Sequence, residues 1–397
     1  MSEAKRLRVE LFPAAEKAVV RGHPWVFDGG VKAVNRDGDA GELAVMYDRH
    51  DRFLAVGLYD PDSPIRVRIL QVGKPAKIDR GWWLACARAA KARRDGVVFT
   101  PETNGGRWIH GENDGFPGLV VDAYGETMVV KLYSAVWLAR WDEIEGVLRE
   151  VFAPRYLLRR LSRNLMQRAK SMGMEEGFVG AEGDEVVVFQ EHEIRFEAAV
   201  RHGQKTGFFL DQRDNRRRVG ELAAGREVLN LFSFSGGFSL HAARGGARRV
   251  TDVDRSPHAL ASAVRNFQLN PELSKTEHET IRADVFAWIG ETTRPYGLVV
   301  CDPPSLAPSA RDRERALTQY ARLNRAALQR VEPNGVIVTA SCSAHVSADD
   351  FLSRVRREAK QTDAEWEEMW TSGHAMDHPA TFPEAHYLKA ICLRRRG

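Results

Sequence analysis

Tyr296-Gly-Leu-Val-Val-Cys-Asp-Pro-Pro-Ser305 and Gly335-Val-Ile-Val-Thr-Ala-Ser-Cys-Ser343 decide the fold. Each begins as a short, β-branched apolar run behind a turn signal, the pattern of a buried strand. A helical stretch over residues 312–331 separates them. That is a β-α-β unit, whose strands lie parallel with their C-terminal ends on one edge. Open α/β sheets bind ligands in the crevice at that edge. Asp302 and Cys342 are therefore predicted neighbours, a carboxylate beside a thiol. The pairing suits attack on a pyrimidine ring.

The same alternation extends outward. Val228–Phe232, Arg249–Val253 and residues 279–283 read as strands, and residues 239–245, 257–269 and 285–290 as helices. Strands alternating with helices at this spacing predict an α/β fold with a doubly wound parallel, Rossmann-like sheet over residues 199–397. Tyr387–Leu393 reads as one more strand, an antiparallel edge with no helix after it. Residues 1–73 read as a small β-rich domain, with strands at Ala18–Val20, Trp25–Phe27, Glu42–Tyr47, Phe53–Tyr59 and Pro64–Leu70 between turn clusters. Residues 74–198 read as a central α+β domain, with a helix over 81–94, a strand pair at Leu119–Asp122 and Thr127–Leu132, and a helix over 139–151. Gly111–Gly118 carries turn chemistry.

Composition bounds the class. The chain has 397 residues, 43% hydrophobic and 28% charged, ordinary values for a globular protein with two or three cores. No apolar run reaches the roughly 18 residues of a membrane span, and the start lacks an apolar signal core, so a cytoplasmic protein is expected. The four cysteines lack CxxC spacing, so free thiols are expected rather than a metal site or disulfides. The net charge of +4 is modest, but Arg155–Lys170 holds five arginines and a lysine with no acid, and Arg213–Arg218 holds four more arginines. Each cluster suits a nucleic-acid surface or a solvated helix face.

Three strand ends describe a ligand. The first leads into Asn230-Leu-Phe-Ser-Phe-Ser-Gly-Gly-Phe-Ser239, where small residues let backbone approach a ligand. Phe232, Ser233, Ser235, Gly236 and Gly237 are the contact candidates. The second ends at Asp254, placed to accept hydrogen bonds from ribose hydroxyls. The third ends at Asp284, placed for an adenine amine. Singly, either aspartate suits a helix N-cap. Together, without a GxGxxG fingerprint, they fit an adenosine ligand lacking phosphates, which is S-adenosyl-L-methionine. Asp302 and Pro303 complete that pocket.

The chain resembles the PUA-domain class I methyltransferases that modify cytosine C5 in bacterial 23S rRNA. The resemblance runs the full length. It rests on Arg21-Gly-His-Pro-Trp-Val-Phe27, Gly111-Glu-Asn-Asp-Gly-Phe-Pro-Gly118, Arg163–Glu175, His202-Gly-Gln-Lys-Thr-Gly-Phe-Phe-Leu-Asp-Gln-Arg-Asp-Asn-Arg216, Asn230–Phe238, Asp302-Pro-Pro304, Ser341-Cys-Ser343 and His378-Pro-Ala-Thr-Phe-Pro-Glu-Ala-His-Tyr-Leu-Lys389. It implies a PUA domain over residues 1–73 and a methyltransferase domain over 199–397. It places Lys205, Asp211, Gln212 and Arg213 around the cofactor entrance, with Arg213 or Arg216 suited equally to a phosphate. The implied partner is 23S rRNA or a large-subunit precursor, with a homodimer as a further candidate. Ser305 departs from the lysine often found after Asp-Pro-Pro in the family, which bears on target-base contacts together with Pro304.

Cytosine C5 is a poor nucleophile, and a thiolate adding at C6 activates it. Cys342 is the expected nucleophile and Asp302 the partner at N3. Cys301, turned away by strand alternation, is expected to pack. Asp-Pro-Pro also occurs in amino-group methyltransferases, where an aromatic follows, and Ser305 does not suit that role. The alternatives are methylation of a guanine in rRNA, which needs no cysteine, and a non-catalytic RNA-binding assembly factor.

Overall fold

The computed structural model describes residues 6–397. They form two compact units, one of residues up to Val187 with Ala198–Phe208, the other of Val188–Glu197 with Phe209–Gly397. No helix among the described residues is long and apolar enough to cross a membrane.

In the first unit, the β-rich region and the central region share one core, where Val56 and Leu58 join Trp83, Phe116 and Trp137. A six-stranded sheet carries the β-rich region, and a five-stranded sheet the central one. Two strands absent from the sequence reading, Leu7–Leu11 and Val31–Val34, pair with each other. Ala18–Val20 is not a strand. It closes the helix Pro13–Val20, whose proline stands at the first turn, where a missing N–H costs nothing.

The second unit is a seven-stranded sheet: β1 Glu227–Leu231, β2 Arg249–Asp254, β3 Glu277–Arg282, β4 Tyr296–Cys301, β5 Val331–Ser341, β6 Trp366–Ser372 and β7 Lys389–Arg395. Its order is β3-β2-β1-β4-β5-β7-β6. Strands β1 to β5 pair in parallel, and β7 runs antiparallel to both β5 and β6. The last strand is therefore antiparallel as expected but is not an edge. Strand β6 lies outside it, and the sequence reading did not contain β6. Every residue of β4 is buried, as suits a central parallel strand covered on both faces.

The helices are α1 Arg213–Glu221, α2 Gly237–Arg244, α3 Pro257–Gln268, α4 Val285–Glu291, α5 Arg313–Leu328 and α6 Ala348–Lys360. Helix α1 meets the C-terminal end of α2 backbone to backbone, for a Cβ built on Gly245 would stand 1.9 Å from the Gly220 carbonyl oxygen. Gly245→Ala is expected to force the two segments apart and destabilise the unit by ~1–3 kcal/mol, read as a lowered midpoint in thermal or denaturant unfolding. The hairpin at the start of the unit turns at His192-Glu193, both left-handed at φ 51° and 65°, which matches a tight two-residue turn. Just before the turn, Glu191 receives two hydrogen bonds from Arg216 and pairs with His241, so the hairpin is fastened to α1 and α2.

Candidate active site

The loop after β1 departs from ordinary backbone. Phe232 and Phe234 are left-handed at φ 60° and 48°, and Gly236 follows at 75°. Non-glycine residues hold that conformation only where surrounding contacts over-determine it, and such positions concentrate at ligand sites. Here the contacts are visible. Asp254 accepts from the Phe234 amide at 3.0 Å and from the Ser256 amide at 2.8 Å. Asn266 donates to the Ser235 carbonyl at 2.9 Å. Beneath the loop, buried Asp252 accepts from Asn230, Ser239 and His278 at 2.5 to 2.9 Å. That network was missing from the sequence reading, although Asp252 stands two residues before Asp254 on the same strand face.

Two observations test whether this loop suits a small polar ligand. The Ser233 and Ser235 hydroxyls are buried and have no hydrogen-bond partner among the described residues. A buried hydroxyl without a partner is costly, and a bound ligand can satisfy it. Phe232 stacks edge-on to Phe286 with ring centroids 5.6 Å apart, adding an aromatic wall from α4. Asp284 caps α4 through the Ala287 amide and remains exposed, so it serves as the N-cap that the sequence allowed. These residues fit S-adenosylmethionine as a group.

Asp302 and Cys342 stand at the ends of β4 and β5, whose register pairs Cys301 with Thr339. Two residues past Cys301 and three past Thr339, the Cys342 Sγ lies 3.9 Å from the Pro303 carbonyl oxygen. The two loops are tied together by Ser343. Its hydroxyl accepts from the Leu306 and Ala307 amides at 3.1 and 3.3 Å and lies 3.2 Å from the Ser305 hydroxyl. Tyr320 of α5 joins the knot, 2.9 Å from Ser343 and accepting from Ser341 at 2.8 Å. Burial pushes the Tyr320 phenol up to about 12, so it stays neutral. Pro304 and Ser305 are exposed beside Pro303, which is buried. Cys301 is fully buried in the core, and burial raises its thiol, as a packing residue requires.

The segment before α1 reaches the same place. Gln212 donates to an Asp302 carboxylate oxygen at 2.9 Å, and Asn215 donates to the Gln212 carbonyl oxygen at 2.6 Å, which fixes the amide's orientation. Asp211 accepts from the Tyr387 hydroxyl at 2.8 Å. Arg213 is 3% exposed and bidentate to Asp377 at 2.8 and 2.9 Å. Burial opposes the Asp377 charge, but His378 and Arg213 hold that carboxyl well below its ordinary range. Arg216 is taken up by Glu191, Arg217 pairs with Glu221, and Arg218 lies over the Trp370 ring. The Arg213–Arg218 cluster is thus committed to internal partners, and neither Arg213 nor Arg216 can hold a phosphate without breaking a buried pair. In Arg155–Lys170, Arg155 and Arg168 pair with Glu126 and Asp62, whereas Arg163 and Lys170 are exposed. Lys205 belongs to the first unit, left-handed at φ 52°, where its carbonyl accepts from Lys131 and Arg160.

The sequence reading quoted Ser343 and Lys389 within longer motifs without giving either a role of its own, and it did not single out Tyr320. For Lys389 a signal existed, a lysine within the apolar run of residues 388–393 where β7 begins, since a cation buried there must have partners.

A left-handed loop after β1 with buried, unpartnered hydroxyls, carboxylates on successive strand ends and the sheet order β3-β2-β1-β4-β5-β7-β6 define a class I methyltransferase. Known proteins agree. The S-adenosylmethionine-dependent methyltransferase family matches residues 157–392, and the PUA-like domain family matches residues 9–71. The Deinococcus radiodurans protein named ribosomal RNA large subunit methyltransferase is 51% identical, with 99% of this chain and 98% of that protein covered. The Aeromonas salmonicida ribosomal RNA large subunit methyltransferase I is 32% identical over 98% of this chain and 99% of its own length. Among solved structures, "A putative sam-dependent methyltransferase from Streptococcus mutans" superposes with a TM-score of 0.83 at 22% identity, covering 98% of this chain and 100% of that one. The chain belongs to the family of S-adenosylmethionine-dependent methyltransferases that contains these ribosomal RNA large subunit enzymes.

Proposed function

We propose that this protein methylates C5 of a cytosine in large-subunit (23S) ribosomal RNA, with Cys342 as nucleophile and Asp302 as the group at N3. The observation that carries the reading is the Cys342 thiol at the Pro303 carbonyl, which sets it one residue from Asp302 on a neighbouring loop. The relatives named for large-subunit rRNA support the substrate class, and the PUA-like match supports RNA as the ligand of the N-terminal region.

S-adenosylmethionine supplies an electrophilic sulfonium methyl, and Phe232–Gly237, Asp254 and Asp284 would hold it, with Asp302 and Pro303 closing the pocket. The Cys342 thiolate forms a bond to C6 of the ring, which moves electron density onto C5. Asp302, its carboxylate oriented by Gln212, stabilises the adduct through a proton or hydrogen bond at N3. C5 then takes the methyl group, the C5 proton leaves to a base, and the Sγ–C6 bond breaks to return the thiolate. The base must be unstacked for its C6 face to meet a thiol, so the target is an unpaired or flipped nucleotide. Asn215 holds the Gln212 amide, and the flanking Asp211 and Arg213 are anchored by Tyr387 and Asp377.

RNA carrying 5-azacytidine separates this reading from methylation of a purine. Nitrogen at position 5 blocks loss of a proton there, so an adduct at C6 accumulates. The expected result is an RNA–protein adduct, stable to denaturing electrophoresis, that maps to Cys342. Turnover on natural rRNA with no adduct on the analogue would assign the methyl group to another atom.

A further inference from the structure

Lys389 opens β7 directly opposite Ser341, the residue before Cys342. It is 3% exposed, and its ammonium donates to the Ser343 and Val346 carbonyls at 2.5 Å and to the Tyr387 carbonyl at 3.2 Å. Three carbonyl acceptors take the three protons of an ammonium, so the group is built to be held as a cation and not to shuttle a proton. Two of those carbonyls belong to the turn that follows Cys342. The same atom therefore fixes the course of the nucleophile loop and places a positive charge behind it.

We propose that Lys389 is the positioning residue for Cys342: it locks the loop after the thiol and, through its charge, favours the thiolate. The inference rests on the reading of Cys342 as nucleophile. A lysine beside a cysteine is a general means of holding a thiol in its reactive form. Other groups face the pair. Tyr320 from α5 is neutral, Asp302 stands on the neighbouring β4 loop, and Asp350 from α6 faces Lys389 but is itself paired with Arg313 at 2.8 Å. His345 and His386 line the cleft that Lys389 borders. Burial pulls the Lys389 ammonium down to about 8, while Cys342 and Asp350 hold it up. That interaction is reciprocal, because a thiolate that stabilises an ammonium is stabilised by it to the same extent.

The test is the pH dependence of Cys342 alkylation by iodoacetamide in the full-length protein, read on the Cys342 peptide by mass spectrometry without RNA. Lys389→Met is expected to move the alkylation midpoint up by about one pH unit or more, Lys389→Arg to recover at least about half of that shift, and the affinity for S-adenosylhomocysteine to stay within about twofold. A folded Lys389→Met protein whose midpoint matches the wild type would overturn the proposal. Should Lys389→Met fail to fold, the reciprocal measurement replaces it. In Cys342→Ala, the carbon-13 resonance of the Lys389 side chain is expected to titrate at lower pH than in the wild type, and an unmoved titration would overturn the proposal. Neither readout depends on catalysis, so the two readings fail separately: Cys342→Ala protein that still methylated C5 would remove the nucleophile reading, whereas an unmoved midpoint would remove only the role of Lys389.

Discussion

Cys342→Ala is expected to lower the rate of cytosine methylation by on the order of 10⁴-fold or more while leaving S-adenosylhomocysteine binding unchanged. The reason is chemical. Without a bond at C6 the ring carbon has too little electron density to attack a methyl group, and no neighbouring side chain replaces a thiolate. The fold gives this substitution little else to disturb, since the Ser343 hydroxyl ties the loops through Ser305, Leu306 and Ala307, while the thiol adds a long contact to the Pro303 carbonyl at 3.9 Å. Cys301→Ala is the matched control, because that thiol is enclosed in the core on the adjacent strand and should cost stability without touching the rate. Single-turnover methylation with tritiated methyl donor, alongside calorimetric S-adenosylhomocysteine binding, reads both effects. A Cys342→Ala rate within tenfold of wild type would dismiss the covalent mechanism.

Asp302→Asn is expected to reduce the single-turnover rate by ~10²–10⁴-fold, the range for a group that transfers or shares a proton in the transition state. Asparagine keeps an oxygen that can accept from Gln212, so the loop geometry should persist. Gln212→Leu separates position from chemistry. It leaves the carboxylate but removes the donor that orients it, and a smaller loss of about tenfold is expected, with the shape of the pH profile retained. Equal losses in both variants would mean that Asp302 acts by geometry alone.

The strands that carry the site were legible because central parallel strands announce themselves as continuous apolar runs. Val228–Phe232, Arg249–Val253 and Tyr296–Val300 match β1, β2 and β4 to within a residue. Trp-Glu-Glu-Met-Trp-Thr-Ser372 of β6 carries no such run, and its side chains are half-buried or exposed, so neither alternation nor apolarity marked it. Leu-Arg-Val-Glu-Leu11 alternates cleanly and was readable; Val31–Val34 is short and half-exposed. Within the site, proximity of Asp302 and Cys342 followed from one β-α-β unit. What sequence spacing could not reveal was the partner of each polar group. Arg213 meets Asp377 across 164 residues, and Lys389 meets Ser343 across 46. A basic cluster in a sequence advertises charge, whereas only the fold tells whether an acid from elsewhere has already claimed it.

The strand order has a consequence for how the domain is assembled. Among the strands of the sheet, β7 is the last to be synthesised, yet it is inserted between β5 and β6. Until it arrives, β6 has no neighbour to pair with and the long β5 presents an open edge. A nascent or truncated chain ending before residue 389 therefore forfeits two strands for the loss of one, together with the ammonium that secures the loop after Cys342. Setting of the loop after Cys342 is thus tied to the final step of sheet closure, and a partially made chain would carry that cysteine in an unset loop.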